Sequence, residues 1–207
     1  MQLRPYAVRS RPSTLAQYGC FVGRREVGLH RCCSYAYTFD NLHKSFQAFV
    51  DVLRVARFAV MVLDYGAPVG FRLAAANPDR ITALITQNGN AYEEGLQEDT
   101  WAPIRAYWRQ PTTANRDALR PFLTNEITRF QYTHGVPAEK LDLVSPDASG
   151  HDQAILDRDP EVQLDLFGDY ESNVALYPSW QKYFRTQKPP VLAVWGNGDP
   201  FFRSSGA

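Results

Sequence analysis

Two apolar runs separated by a short alanine-rich segment constrain the fold of this chain more than any other feature. The first run, FAVMVLD at residues 58–64, is continuously apolar instead of alternating, which is typical of a strand buried on both faces of a parallel sheet. The segment APVGFRLAAANPDR then predicts a helix that stops at Asn77-Pro78, and ITALITQNG at residues 81–89 predicts a second strand. Strand, helix and strand in close succession predict a βαβ unit and a parallel sheet.

The rest of the chain predicts one more strand, one helix before the first strand and a long helical insertion. The strand is PPVLAVWG at residues 189–196, and the early helix begins beside Thr38 or Asp40, either of which suits the N-cap position. Residues 90–188 show helical patterns punctuated by proline and glycine, and such a length exceeds a simple crossover. We therefore expect an α/β core with residues 90–188 inserted as a helical cap, or lid.

Residues 1–34 differ in composition from everything that follows. They contain six arginines and one acidic residue, with no helical or strand periodicity. Three interpretations compete: an organelle transit peptide, a disordered basic tail, or a segment that is not native coding sequence. The domain prediction is therefore an atypical segment at 1–34, a core formed by 35–89 and 189–207, and the cap between them.

Composition narrows the functional class only broadly. A chain of 207 residues suffices for one well-cored domain, and a formal net charge of zero argues against nucleic-acid or anionic-membrane partners. Cys20, Cys32 and Cys33 are odd in number and lack the spacing of metal ligands, which favours a reducing compartment, with the cytoplasm as the default. The sequence contains no run of about 18 apolar residues, so no transmembrane helix is predicted.

Asp64 stands at the carboxyl end of the first predicted strand, the edge at which parallel sheets collect their ligands. A tight turn of small residues between a strand and a helix holds a nucleophile strained and exposed, and the turn after Asp64 has this composition. The following helix N-terminus favours a negative charge there, and the N–H of Tyr65 could donate into an oxyanion hole. The alternative is that Asp64 only caps the helix. A phosphate-binding loop is excluded because neither GxxxxGK[ST] nor GxGxxG is present.

A second carboxylate follows the third predicted strand. The segment VLAVWGNGDPFF places Asp199 in the loop just after residues 191–196, again at the carboxyl edge. Taken alone, an Asn-Gly-Asp-Pro sequence is most simply a turn. Two aspartates at one edge of a sheet, with a helical lid between them in sequence, favour a catalytic site instead.

From about residue 35 to residue 202, the chain resembles the α/β-hydrolase superfamily, in particular its haloalkane dehalogenase and epoxide hydrolase branch. The features that carry the resemblance are DYGAPVG, ITQNGNAY, the helical insertion and VWGNGDPFF. The resemblance implies that Asp64 is a nucleophile, that Asp199 orients a histidine, and that the cap closes over an apolar pocket. It also implies a small apolar organic substrate and no metal or organic cofactor.

Two departures from this family pattern stand out. Family members carry a His-Gly-x-Pro turn near the N-terminus, and residues 1–34 contain nothing like it. They also place the catalytic histidine well after the acid, whereas only PFFRSSGA follows Asp199. The histidines present are His30, His43, His134 and His151, none in the expected position. We therefore expect a partial α/β-hydrolase fold, truncated at both ends.

The residue beside the nucleophile bears on the substrate. Dehalogenases of this branch usually hold a tryptophan there to bind the departing halide, and this chain has Tyr65. The difference favours epoxide hydrolysis or the function of an uncharacterised relative. For epoxide hydrolysis, the resemblance implies cap tyrosines that protonate the leaving oxygen. Tyr107 and Tyr132 are the candidates, although aromatic residues at helical spacing more often belong to a core.

The expected function is hydrolysis at a saturated carbon, of an epoxide or haloalkane, through an aspartyl-ester intermediate. Without its histidine, the chain should be impaired in the second step, because a general base must activate the water that cleaves the ester. The main alternative is a catalytically inactive relative that acts as a binding module. A third hypothesis is a thioesterase-like hydrolase that uses His134 or His151. Composition does not indicate an oligomeric state.

Overall fold

The structure, a computed structural model, describes residues 35–207, and the interpretations of residues 1–34 lie outside the described residues. The helices and strands of this part, in chain order, are α1 (Phe39–Val52), β1 (Phe58–Leu63), α2 (Gly66–Ala76), β2 (Ile81–Gln87), α3 (Glu98–Arg109), α4 (Thr113–Asp117), α5 (Asn125–Thr133), α6 (Pro146–Leu156), α7 (Pro160–Asp169), α8 (Glu171–Gln187) and β3 (Val191–Val194). Thr38 is the residue that caps α1, because its hydroxyl oxygen accepts the Asn41 N–H at 3.1 Å. No helix in residues 35–207 is long and apolar enough to cross a membrane.

The three strands form one parallel sheet in the order β1-β2-β3. Val60 of β1 lies opposite Leu84 of β2, and Leu84 lies opposite Val191 of β3. Helix α2 connects β1 to β2, and α3 to α8 all lie between β2 and β3 in the chain. The predicted α/β fold, with a parallel sheet and a helical insertion, is therefore confirmed.

One face of the sheet is covered by α2. Gly70 of this helix lies so close to β1 that an added Cβ would be 2.3 Å from Val62 Cγ1 and 3.2 Å from Val60 Cγ1. Only glycine permits this approach, which sets the spacing between the strand and the helix behind it. Phe71, on the same helix, packs against Trp180 and Phe184 of α8 with ring centroids 5.6 and 5.3 Å apart.

The prediction that the first strand is buried on both faces is wrong for the described residues. Burial alternates along β1: Val60 and Val62 are buried, whereas Met61 is 53% and Leu63 is 43% exposed. All four residues of β3 are exposed as well. The apolar run alone could not reveal this difference, because the covering of the second face depends on which other elements pack there.

The inserted helices pack against α1 through an aromatic cluster. Trp101 of α3 packs against Tyr170 at 4.8 Å between ring centroids, and Phe39 of α1 packs against the same tyrosine at 5.5 Å. Tyr170 is the residue between α7, which ends at Asp169, and α8, which begins at Glu171. The break between α7 and α8 therefore places the Tyr170 ring between α1 and α3. The division of the chain into a core and a cap stays a prediction.

Candidate active site

Asp64 occupies a strained turn between β1 and α2. Its φ of 46° lies in the left-handed region, which a residue other than glycine adopts at a cost of about 1–3 kcal/mol. The turn is held by its backbone: the Asp64 N–H donates to the Gln87 carbonyl at 3.3 Å, and the Asp64 carbonyl accepts the Ala67 N–H at 2.9 Å. Ala67 is fully buried, so the small side chains after Asp64 permit a sharp turn.

The helix-cap interpretation of Asp64 finds no support in this geometry. Helix α2 has Tyr65 at its N-cap position, and no side chain donates or accepts a capping hydrogen bond there. The backbone N–H of Tyr65 instead acts on the Asp64 carboxyl group, where it lowers the pKa. The roles of Asp64 as a nucleophile and of the Tyr65 N–H in an oxyanion hole stay predictions.

Burial, and secondly the nearby charge of Asp199, raise the pKa of Asp64 to about 6, and the Tyr65 N–H acts in the opposite direction. By its solvent-accessible surface Asp64 is an exposed residue, so protein atoms crowd the carboxylate without enclosing it in the core. A carboxylate of this kind is ionised above pH 6 and incompletely hydrated. Both properties suit a nucleophile that must release solvent before it attacks.

Asp199 is fixed by hydrogen bonds on both carboxylate oxygens. Oδ1 accepts the backbone N–H groups of Phe201 and Phe202 at 2.8 and 2.9 Å, and Oδ2 accepts Nδ2 of Asn88. This is an aspartate turn with a side-chain anchor, so the turn and site interpretations of Asp199 are compatible. The carboxylate is held in one orientation with lone-pair capacity to spare.

Asn88 is a site residue that the sequence patterns did not reveal. It follows β2 with a φ of 47°, and its Oδ1 accepts the Gly196 N–H at 3.2 Å while its Nδ2 reaches Asp199. Its backbone N–H donates to the Val194 carbonyl at 3.2 Å. Asn88 therefore ties the ends of β2 and β3 together. The predicted strand covered residues 81–89, whereas β2 ends at Gln87, so the sequence pattern did not mark Asn88 as the residue after a strand.

Tyr170 is the second residue that was missed. Its side chain is almost fully buried, and its ring packs against Tyr65 with a centroid distance of 5.4 Å. Burial raises the pKa of Tyr170 well above its usual value, and Tyr177, Tyr65 and Asp64 add to the rise. The influence of Asp64 means that the phenol lies within electrostatic reach of the nucleophile. The sequence predicted only helical structure in this part of residues 90–188, so the helix break that places Tyr170 beside Tyr65 had no local signature.

The structure does not bring Tyr107 and Tyr132 to Asp64. The Tyr107 hydroxyl lies 3.4 Å from Arg116, beside a cleft of about 470 Å³. The Tyr132 hydroxyl donates to Asp152 and borders a separate cleft of about 430 Å³ between α5 and α6. Burial, and then Asp152, raise the pKa of Tyr132 to about 12. Among the described residues, no hydrogen bond joins either hydroxyl to Asp64, so their role as proton donors stays a prediction.

The three described histidines are also placed away from both aspartates. His43 lies on α1, where burial and then Arg72 lower its pKa. His134 ends α5 with its ring on Phe130, at 4.4 Å between centroids, and His151 is exposed on α6. Within residues 35–207, no hydrogen bond or ion pair joins their rings to Asp64 or Asp199.

A strained carboxylate after one parallel strand, a second carboxylate in the loop after another strand of the same sheet, and an inserted helical region define an α/β-hydrolase arrangement. A family model for the alpha/beta hydrolase fold matches residues 11–207. The chain belongs to this family. The match begins inside the segment 1–34 that composition sets apart.

Among proteins of known sequence, an uncharacterized hydrolase of Saccharomyces cerevisiae is 43% identical over 179 residues, which is 84% of this chain and 61% of the yeast protein. Among solved structures, a variant of the haloalkane dehalogenase DatA from Agrobacterium tumefaciens C58 has a TM-score of 0.55 at 20% identity, covering 77% of this chain and 56% of that one. A proposed epoxide hydrolase from Pseudomonas aeruginosa has a TM-score of 0.54 at 20% identity, with coverages of 78% and 56%. The chain thus spans little more than half of these relatives, and the two structures show likeness of fold alone.

Proposed function

We propose that this chain acts at a saturated carbon of a small apolar epoxide or haloalkane, by forming an ester with Asp64. The observation that supports this most is the position of Asp64 in a strained turn at the carboxyl end of β1, with its pKa raised to about 6 by burial and by Asp199. Serine at such a turn would need a base to become nucleophilic, whereas a carboxylate above pH 6 attacks without losing a proton first.

In the first step, a carboxylate oxygen of Asp64 attacks the carbon, and an ester bond forms as the bond to the leaving group breaks. With an epoxide, the electron pair goes to the ring oxygen, which then needs a proton. Tyr170 is the proton donor that we propose, because its phenol is buried and lies within electrostatic reach of Asp64. With a haloalkane, the electron pair leaves with the halide and no proton is required.

The buried phenol favours the epoxide over the haloalkane as the natural class. A departing alkoxide is strongly basic and gains most from a proton donor, whereas a halide gains little from one. The tyrosine at position 65, beside the nucleophile, supports the same choice. Yeast and bacterial relatives support the hydrolase class, and the substrate itself is our proposal.

The second step, cleavage of the ester by water, needs a general base that Asp199 would orient. In the described residues, the rings of His43, His134 and His151 contact neither aspartate. We therefore propose that this 207-residue chain forms the ester faster than it releases it, so that the alkylated protein accumulates.

The test is to incubate the protein with styrene oxide and with 1-iodobutane and to follow its intact mass. We expect a single addition, which peptide mapping places on Asp64. Asp64→Asn is the matched control, because it keeps the shape of the side chain and removes the nucleophile. An unmodified protein over a panel of epoxides and haloalkanes would contradict the proposal and leave the binding-module alternative.

A further inference from the structure

Two neighbouring residues of α3, Thr100 and Trp101, contact the turn that contains Asp199. The Thr100 hydroxyl donates to the Pro200 carbonyl at 2.8 Å, and the Trp101 indole N–H donates to the Phe201 carbonyl at 2.9 Å. A carbonyl oxygen can only accept, so the direction of both hydrogen bonds is fixed. Both contacts are partly buried, which strengthens them relative to hydrogen bonds in water.

Each of these two carbonyls belongs to a peptide group whose N–H donates to Asp199. The Pro200 carbonyl shares its peptide group with the Phe201 N–H, which donates to Oδ1 of Asp199 at 2.8 Å. The Phe201 carbonyl shares its peptide group with the Phe202 N–H, which donates to the same Oδ1 at 2.9 Å. Two hydrogen-bonded routes therefore lead from α3 to one carboxylate oxygen, each through a single peptide group.

A peptide group that accepts a hydrogen bond at its oxygen is both held in place and polarised. Hydrogen bonds in a chain strengthen one another, so the N–H of such a group is the better donor. Loss of the Thr100 hydroxyl should therefore weaken the hydrogen bond from the Phe201 N–H. Loss of the Trp101 indole should weaken the one from the Phe202 N–H. The two effects are separate, because the two routes share no peptide group.

Asp199 and Asp64 are joined to consecutive residues at the end of the central strand. The carbonyl of Gln87, the last residue of β2, accepts the Asp64 N–H at 3.3 Å. The next residue, Asn88, donates from Nδ2 to Oδ2 of Asp199. Neighbouring strands lie about 5 Å apart, so both aspartates are anchored to the same end of the sheet. The orientation of Asp199 therefore decides where its charge lies relative to Asp64.

We propose that Thr100 and Trp101 are positioning residues that hold the Asp199 carboxylate in place, each through one peptide group. This inference rests on the proposed function, in which Asp199 is the second carboxylate of the site. Both residues lie on α3, within the helical insertion between β2 and β3, whereas Asp199 follows β3. The insertion thus orients a carboxylate that belongs to the edge of the sheet.

Hydrogen exchange of single amides, measured by NMR on the full chain, tests the positioning without any reaction. Thr100→Val keeps the shape of the side chain and removes the hydroxyl. It should speed exchange of the Phe201 amide by roughly three- to tenfold, the equivalent of one net hydrogen bond, and that of Phe202 less. Trp101→Phe should show the opposite preference. Thr100→Ser restores the hydroxyl and should exchange like the wild type.

The pH profile of ester formation tests the consequence at Asp64. Burial, and secondly the charge of Asp199, raise the pKa of Asp64 to about 6. The initial rate with 1-iodobutane, whose leaving group needs no proton, is measured by intact mass as a function of pH. Thr100→Val and Trp101→Phe should move the midpoint to lower pH, in the same direction as Asp199→Asn. Added to Asp199→Asn, Thr100→Val should cause no further shift.

Thr133→Val and Trp108→Phe are the matched controls. The Thr133 hydroxyl donates to the Arg129 carbonyl at 3.0 Å, and the Trp108 indole donates to the Phe167 carbonyl at 2.8 Å. Each control therefore loses the same kind of hydrogen bond as its counterpart, away from the turn at Asp199. Neither should change the exchange of the two amides or the midpoint. Thermal unfolding of every variant confirms that it is folded.

The outcomes separate this proposal from the proposed function. Paired acceleration, rescued by Thr100→Ser and absent from the controls, supports the positioning role. Equal acceleration of both amides, or none in Thr100→Val, overturns it, and so does an unchanged midpoint where Asp199→Asn lowers it. Thr100→Val decides the matter even if Trp101→Phe does not fold. If the wild type forms no ester, the proposed function fails, and amide exchange alone decides whether Thr100 and Trp101 hold Asp199.

Discussion

The two faces of the sheet are built very differently. On the covered face, Val60 and Val62 of β1 are buried against α2, and α8 packs behind that helix through Trp180. On the open face, Met61 is 53% exposed, and Leu192 of β3 is 56% exposed. Apolar side chains of the same sheet are thus buried on one face and exposed on the other. Within residues 35–207, the turn at Asp64 is therefore supported by packing on one face of the sheet.

The largest effect should come from emptying the covered face. Trp180 is 1% exposed, and its ring lies 5.6 Å from the Phe71 ring and 5.6 Å from the Arg72 guanidinium carbon. Trp180→Ala should lower the free energy of unfolding by about 3–5 kcal/mol, because it leaves a large cavity. Urea unfolding measures the change, and Lys182→Ala, an exposed substitution on the same helix, should change it by less than about 0.5 kcal/mol.

The next effect tests the close approach of α2 to β1. Gly70→Ala places a methyl group 2.3 Å from Val62 Cγ1, and overpacking of this kind costs about 1–3 kcal/mol. Val62→Ala makes room for that methyl group. The double variant should therefore be less destabilised than the sum of the two single variants. Additive losses would mean that Gly70 is not needed for helix–strand spacing.

Much of this covered half could be predicted from the sequence, because its signals are local. The first strand was predicted at residues 58–64 and lies at Phe58–Leu63, and the following helix ends where Asn77-Pro78 stops it. Asp64 and Asp199 were identified because the first ends an apolar strand and the second lies in the loop after another, and strand ends in a parallel sheet meet at one edge.

The rest depends on contacts between distant segments. Tyr170 and Asn88 carry no local motif, since one acquires its place from a helix break and the other from Asp199, 111 residues away. Tyr107 and Tyr132 had the residue type required of a proton donor, but their helices direct them to Arg116 and Asp152. Residue type and periodicity predict a helix, and only tertiary packing decides what its side chains contact.

Asp64 lies at the boundary between packed protein and solvent. The pH dependence of its reaction therefore shows whether the protein or the solvent determines its pKa. Because burial and Asp199 raise its pKa to about 6, ester formation should be constant above pH 7 and fall about tenfold per pH unit below pH 5. A solvated aspartate would keep its rate down to about pH 4. Asp199→Asn keeps the shape of the turn and removes the charge, so it should move the midpoint to lower pH.

The same shift affects stability in a direction that can be checked. A pKa raised in the folded state means that folded Asp64 binds its proton more tightly than unfolded Asp64. The resulting stabilisation is complete below about pH 4 and is lost as the pH rises to about 6. Asp64→Asn avoids this loss, so its melting temperature relative to wild type should be higher at pH 8 than at pH 4. A difference that does not depend on pH would contradict the raised pKa.

The smallest effect is expected on the open face. Met61→Thr and Leu192→Thr should each change the free energy of unfolding by less than about 0.5 kcal/mol, because both side chains are more than half exposed and threonine suits a strand. Light scattering should show less self-association, since each substitution reduces an exposed apolar patch. A loss above about 2 kcal/mol, comparable to removal of a buried side chain, would mean that another polypeptide surface covers this face in solution. Both faces of the sheet would then be covered in solution, and the turn at Asp64 would be supported from both sides.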